Sequence, residues 1–262
     1  MTANGPLSGK NILVTRGGKD GEKLAAQIEA LGGTPFVVPM VAFRAYADPS
    51  APVFLRKLPA YDWVVFTSKN GVRYFLEACS RAGIACEHLN INWAAVGKKT
   101  AACMEQSGLK VSFAPGKFTA KDFAREFMRS GHRAGRVLLP KGNLAGTEIA
   151  DFLRKSGIIA EEWIIYEAYM PEGAKEKLAR LLGRETIDFA LFLSPSAFRY
   201  FKGALEENGI DIAGLSTRIA VIGPSTRQAV EKAGSRAAVC PDEYTVGAML
   251  GALCDFVRLE EK

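Results

Sequence analysis

The chain repeats itself. VVFTSKNGVRYF, from Val64 to Phe75, aligns without gaps on ALFLSPSAFRYF, from Ala190 to Phe201, so that Phe66, Ser68, Arg73, Tyr74 and Phe75 recur 126 residues later. AAVGKKTAACMEQSG (Ala94 to Gly108) meets AVIGPSTRQAVEKAG (Ala220 to Gly234) at the same offset of 126, and Pro115 and Thr119 fall on Pro241 and Thr245. Shared composition does not hold three separate blocks in one register, so the chain is a duplication. The openings of the copies pair more loosely, ILVTR (Ile12 to Arg16) with VLLPK (Val137 to Lys141), 125 residues apart.

Each copy reads as strand–helix–strand followed by three strand–helix pairs. Leu24, Ile28 and Leu31 recur at helical spacing before the stop Gly32-Gly33, and Ile149, Leu153 and Ser156-Gly157 repeat the pattern. FVVPMVAF (Phe36 to Phe43) and EEWIIYEAY (Glu161 to Tyr169) read as extended. Continuous apolar runs such as Trp63 to Phe66 and Phe189 to Leu193 suit strands buried on both faces of a helix-covered parallel sheet. With 262 residues, two doubly wound α/β domains are expected, and ligands of such sheets bind beyond the carboxyl ends of the strands. The repeat itself leaves open whether the domains coincide with the copies or exchange pieces.

Several chemistries lack support. Cys79, Cys86, Cys103, Cys240 and Cys254 form no CxxC pair, and the two histidines, His88 and His132, have no HExxH or similar spacing. No GxGxxG fingerprint, GxxxxGK[ST] loop or GxSxG elbow occurs, so NAD, ATP and acyl-transfer hydrolase chemistry are not expected. No run approaches the ~20 apolar residues of a membrane span, and MTANGPLSGKN lacks the apolar core of a signal peptide. Free thiols in a reducing cytoplasm are the expectation. The net charge of +6 points to an anionic partner, and its scattered basic residues favour a polyanionic small molecule over nucleic acid.

The informative residues sit in strand-to-helix turns. Thr67, Ser68 and Asn70 follow one strand, and Ser194 and Ser196 follow its repeat; the glycine turns VGKKT (Val96 to Thr100) and IGPST (Ile222 to Thr226) form a second matched set. Ser, Thr and Asn are favoured helix N-caps, so each residue alone is explained by capping. Taken together, the turns would gather several helix N-termini, whose free amides and partial positive charge hold anions. Arg16, Lys98, Lys141 and Arg218 lie in or beside these turns. Tyr166 and Tyr169 stand on the second extended segment, where a hydroxyl either faces water or donates to a leaving group.

FTSKNGV, AAVGKKTA, LPKGN, YEAYMP, FLSPSA and VIGPST, in this order, resemble the uroporphyrinogen-III synthase family over nearly the whole chain. The resemblance implies two similar doubly wound, flavodoxin-like α/β domains joined by a two-stranded β linker. It places one domain at roughly residues 1–35 with 172–262, the other at roughly 40–168, and linker strands near 36–41 and 163–171. The implied reaction closes hydroxymethylbilane, a linear tetrapyrrole with eight carboxylates, inverting ring D and eliminating water. Loss of the terminal hydroxyl gives an azafulvene cation, ring D attacks it through its substituted carbon, and the spiro-pyrrolenine fragments and recloses.

By the same resemblance Tyr166 is the candidate catalytic residue, helping the hydroxyl leave. Thr67, Ser68, Asn70, Thr100, Ser194, Ser196, Ser225 and Thr226 are candidate contacts to acetate and propionate arms, with Gly97, Gly142, Asn143, Gly223 and Pro224 shaping the turns. Arg16, Lys98 and Lys141 would add charge, although Gly17 follows Arg16 where relatives often carry a TRP-like turn, and Lys141 stands where Arg is common. No cofactor or metal is implied, and a cytoplasmic monomer, in transient contact with the preceding pathway enzyme, is expected. The alternative is a two-lobed cytoplasmic sensor that closes on an anionic metabolite without reacting.

Overall fold

A computed structural model describes residues 5–116, 119–131 and 134–260, so that His132 lies outside the described residues. The strands, in chain order, are β1 (Asn11–Arg16), β2 (Thr34–Ala45), β3 (Trp63–Phe66), β4 (Asn92–Ala95), β5 (Val111–Phe113), β6 (Arg136–Gly142), β7 (Ile159–Tyr169), β8 (Phe189–Phe192), β9 (Arg218–Val221) and β10 (Ala237–Val239). The helices are α1 (Gly18–Ala30), α2 (Ala51–Lys57), α3 (Lys69–Arg81), α4 (Lys98–Gln106), α5 (Ala120–Arg129), α6 (Glu148–Lys155), α7 (Ala174–Leu182), α8 (Pro195–Glu207), α9 (Pro224–Lys232) and α10 (Val246–Glu260). Strand and helix alternate as the hydrophobic pattern predicts. The pattern had placed no helix ahead of β3 and β8, where α2 and α7 stand; α2 has seven residues, too few to display a period.

The chain divides into two compact units, a discontinuous one of residues 1–42 with 169–262 and an inserted one of residues 43–168. In the discontinuous unit the strand order is β2-β1-β8-β9-β10, every pair parallel. In the inserted unit it is β7-β6-β3-β4-β5, again parallel throughout. Numbered by position within the repeat, both orders are 2-1-3-4-5, the flavodoxin-like arrangement. Each sheet therefore takes its first two strands from one copy and its last three from the other: β1 lies beside β8, and β6 beside β3.

The chain crosses from one unit to the other within β2 and returns at the end of β7. The last part of β2 belongs to the inserted unit and runs antiparallel to β7: Arg44 pairs with Glu167, and the Tyr46 N–H donates to the Ile165 carbonyl at 3.0 Å.

Burial explains the unbroken apolar runs. All four residues of β3 are buried, Val64 and Phe66 in a core on one face of the sheet, Trp63 and Val65 in a second core on the other. Alternate side chains of a strand point to opposite faces, so a strand covered on both sides has no position for a polar residue. In the discontinuous unit Phe189 and Leu191 of β8 join Ile12, Val14, Leu24 and Ile28 in a corresponding core. Full burial of each such side chain contributes about 1.5–3 kcal/mol, which fixes the strands that carry the turns at their carboxyl ends.

Candidate active site

In a 2-1-3-4-5 sheet the strand order reverses between strands 1 and 3, and the crevice at their carboxyl ends is the expected ligand site. That position lies between β6 and β3 in the inserted unit, and between β1 and β8 in the discontinuous one. The serine turns singled out in the sequence stand at these ends, and the two glycine turns at the ends of the next strands, β4 and β9.

In the inserted unit, Ser68 is the N-cap of α3, its Oγ accepting the Gly71 N–H at 3.0 Å. The same Oγ lies 3.0 Å from the Tyr166 hydroxyl. Tyr166 is buried, its ring stacked on Tyr74 at 5.4 Å and edge-on to Phe43 at 6.0 Å. Gly142, the last residue of β6, faces Tyr166 in the sheet register. Arg73 caps the stack, its guanidinium 4.3 Å above the Tyr74 ring. The structure thus brings together Ser68, Gly142 and Tyr166.

A pocket of about 170 Å³ opens at the same edge, lined by Thr67, Val96, Leu139, Lys141, Gly146 and Glu162 among others. Thr67 is exposed, and neither its hydroxyl nor the half-buried Asn70 amide is hydrogen bonded among the described residues. Lys141 is committed differently from the sequence expectation. Its ammonium is buried, donating to Glu162 Oε1 at 2.5 Å and to the Gly146 carbonyl at 2.8 Å. Glu162 also accepts from Arg154 at 3.1 Å. Asn143 is likewise occupied: its side chain takes the Ala168 N–H at 2.9 Å and gives to the Ala168 carbonyl at 3.3 Å, while its own N–H donates to the Tyr166 carbonyl at 3.1 Å. Asn143 ties the Tyr166 segment of β7 to the end of β6.

Gly97 is the N-cap of α4, with open space where a Cβ would stand, and Lys98 is exposed at the first helical position. Thr100, one turn in, is buried.

The discontinuous unit repeats this plan with differences. Ser194 caps α8, accepting the Ala197 N–H at 3.2 Å, but its other partner is Ser196 Oγ at 3.1 Å. Gly223 caps α9, with the Tyr244 ring packed where a Cβ would stand; Pro224 and Ser225 are exposed, and Thr226 is buried. The Ser225 hydroxyl has no partner among the described residues. Arg16 pairs with Asp20 at 3.0 Å across the first turn of α1. Val41, which pairs with Arg16 in the sheet, is the residue that the 125-residue offset aligns with Tyr166, and Tyr166 itself pairs with Gly142.

Among the described residues no three His, Cys, Asp or Glu side chains stand together as a metal site, and no helix is long and apolar enough to cross a membrane. The family model described as uroporphyrinogen-III synthase HemD matches residues 22–251, taking in both sets of strand ends except Arg16 and its turn. The chain belongs to the uroporphyrinogen-III synthase family.

Individual relatives agree. The chain is 28% identical to uroporphyrinogen-III synthase of Synechococcus elongatus, over 98% of this chain and 98% of that one. It is 29% identical to a putative uroporphyrinogen-III synthase of Methanothermobacter thermautotrophicus, over 92% and 96%. Among solved structures, a mutant uroporphyrinogen III synthase from the extremely thermophilic bacterium Thermus thermophilus matches with a TM-score of 0.73 at 20% identity, over 97% of this chain and 100% of that one. The Helicobacter pylori uroporphyrinogen-III synthetase matches at 0.62 and 16%, over 97% and 99%. At these identities the solved structures speak for the fold.

Two residues of the candidate site escaped the sequence reading. Glu162 fixes Lys141 from the neighbouring strand, 21 residues away, and no local spacing signals that pairing. Tyr74 stacks on Tyr166. Its signal was the RYF triplet that recurs as Arg199, Tyr200 and Phe201, which reads as helix core in both copies.

Proposed function

We propose that the chain converts hydroxymethylbilane to uroporphyrinogen III, closing the macrocycle with inversion of ring D and loss of water. The observation that carries this reading is the family match over residues 22–251, which spans the strand ends of both units apart from that of β1. The substrate is a polycarboxylate. Thr67, Asn70 and Ser225 are rim groups with no internal hydrogen-bond partner among the described residues, so they take carboxylate oxygens. The glycine-led starts of α4 and α9 add backbone amides and the positive end of the helix dipole.

The pocket lined by Thr67 and Lys141, at about 170 Å³, is smaller than the roughly 300–1,000 Å³ that encloses a whole small molecule. It has room for one acetate or propionate arm at most, which Thr67 would meet, since Glu162 offsets the Lys141 charge there. Ser68, Ser194 and Asn143 hold the turns in shape.

The chemistry asks for orientation and one proton. Hydroxymethylbilane cyclises unaided to the symmetric isomer, so the enzyme accelerates the inverted closure by holding the far end of the chain in place, an effect that supplies several kcal/mol. Tyr166 donates a proton to the departing hydroxyl, which leaves as water with the electron pair of the C–O bond. No electrons are gained or lost overall, so the reaction makes no demand for a redox cofactor. A cytoplasmic monomer, handed its unstable substrate by the preceding pathway enzyme, completes the reading.

The test is to supply enzymatically generated hydroxymethylbilane and separate the products by chromatography. The inverted isomer is expected to exceed the spontaneous symmetric one. Symmetric product alone, at the uncatalysed rate, overturns the assignment and leaves a protein that binds without reacting.

A further inference from the structure

The hydroxyls of Ser68 and Tyr166 meet at 3.0 Å, and the geometry around each gives the contact a direction of use. The Tyr166 ring has little freedom: Tyr74 stacks on one face, Phe43 meets its edge, and a Cβ on Gly142 would overlap it. Its oxygen is therefore held at one place. Ser68 Oγ accepts the Gly71 N–H at 3.0 Å, which occupies one lone pair and leaves a rotatable O–H and a second lone pair. The Gly71 amide belongs to the first turn of α3, where the helix dipole is positive. An amide donating into a hydroxyl makes that hydroxyl a stronger donor in turn.

The duplication supplies an internal comparison. Ser194 caps α8 as Ser68 caps α3, but the residue 125 positions before Tyr166, its equivalent by the offset of the paired openings, is Val41, which has no hydroxyl. Capping alone needs no tyrosine, so the hydroxyl pair in the inserted unit is a separate feature.

We propose that Ser68 is a positioning residue for Tyr166: it holds the phenol oxygen at rest and donates its own O–H to the phenolate left after proton transfer. This rests on the reading of Tyr166 as the acid. In that step the Tyr166 O–H bond breaks, its proton joins the departing hydroxyl, and water leaves with the C–O electron pair. The phenolate charge then faces the Ser68 O–H and, behind it, the start of α3. The proton is restored when the free α-carbon of ring D loses its hydrogen at closure, so Tyr166 and Ser68 both end as they began.

The experiment compares Ser68→Gly, Ser68→Thr, Tyr166→Phe and the Ser68→Gly/Tyr166→Phe double variant in steady-state turnover of hydroxymethylbilane. Glycine is chosen because it retains all but a few tenths of a kcal/mol of the N-cap. Ser194→Gly, the same cap in the other unit, calibrates the change in melting temperature. The expected result is a kcat lowered roughly tenfold in Ser68→Gly with KM nearly unchanged, the scale of one charge-assisted hydrogen bond. Ser68→Thr restores the rate, and Ser68→Gly has no further effect once Tyr166 is Phe.

A raised KM at unchanged kcat would make Ser68 a substrate contact and overturn the proposal. So would a loss of equal size in the Tyr166→Phe background, with Tyr166 standing as the acid. An unchanged kcat in Tyr166→Phe alone removes the acid itself, and the proposal with it, whatever Ser68→Gly does.

Discussion

Gly142 and Tyr166 occupy adjoining space at the ends of β6 and β7. An added Cβ at position 142 would stand 2.5 Å from Tyr166 Cζ and 2.8 Å from its hydroxyl oxygen. The glycine is needed for this close approach, since its φ is not among the positive ones. The ring cannot yield easily, because Tyr74 and Phe43 hold it. Gly142→Ala is therefore expected to destabilise the protein by about 1–3 kcal/mol, the usual cost of overpacking, and to swing the phenol away from Ser68. Urea denaturation measures the first effect and turnover of hydroxymethylbilane the second. Wild-type stability and rate in Gly142→Ala would show that the approach is looser than described.

The ion pair beneath the neighbouring pocket yields a second prediction. Lys141 is 8% exposed, and Glu162 takes its ammonium while also accepting from Arg154. Removing Glu162 strands a charge that burial has cut off from water. Glu162→Ala is expected to cost about 2–4 kcal/mol, toward the lower part of the range for broken buried pairs because Glu162 is partly exposed and Lys141 keeps the Gly146 carbonyl. Replacing both as Lys141→Met/Glu162→Leu should recover most of that loss, since the pair itself contributes little net stability. Denaturation of Lys141→Met, Glu162→Leu and the double variant reads the coupling directly.

Helix capping in the discontinuous unit is separable from ligand contact. Ser194→Ala removes the side-chain acceptor for the Ala197 N–H and is expected to cost about 1 kcal/mol, whereas Ser194→Gly costs only a few tenths. Urea midpoints measured side by side decide this. Equal losses in the two variants would mean that the hydroxyl stabilises through Ser196 and not through the helix start.

Sequence periodicity revealed the fold class because burial on both faces of a strand is written in consecutive residues. Trp63 to Phe66 is an example: four apolar residues, each buried. The turns were equally open to inspection, since Ser68 and Ser194 recur in register and both prove to be N-caps. Even the tight strand ends left a trace, Gly17 and Gly142 standing 125 residues apart with a neighbouring ring packed against each.

What stayed hidden depends on strand register. Between Lys141 and Gly142 the β6–β7 pairing skips a residue, from Ile164 to Tyr166, and that irregularity sets which side chains meet. Lys141 read as a ligand for carboxylates because nothing in LPKGN discloses Glu162 on the next strand. Asn143 read as part of a binding turn, while its amide is spent on the backbone of Ala168. Long-range pairings of this kind are made by the sheet and carry no local spacing.

Alkaline pH offers a test of packing away from the rim. Tyr61 is buried and donates to Glu161 Oε2 at 3.0 Å. Burial first, and the hydrogen bond to Glu161 second, push its pKa far above the usual tyrosine range. In the unfolded chain the phenol ionises near pH 10, so below that pH both states hold the proton and the stabilisation is fully present. Above about pH 10 the unfolded state releases its proton while the folded state keeps it, and stability falls by up to about 1.4 kcal/mol per pH unit until the folded group also ionises. Tyr61→Phe removes that slope at the cost of about 1 kcal/mol at neutral pH for the lost hydrogen bond. Urea denaturation at about pH 9 and about pH 11, on either side of the ordinary tyrosine pKa, should therefore show the wild type losing more stability than Tyr61→Phe over the interval. Parallel losses in the two proteins would mean that Tyr61 ionises as freely in the folded state as in water, which its burial against Glu161 forbids.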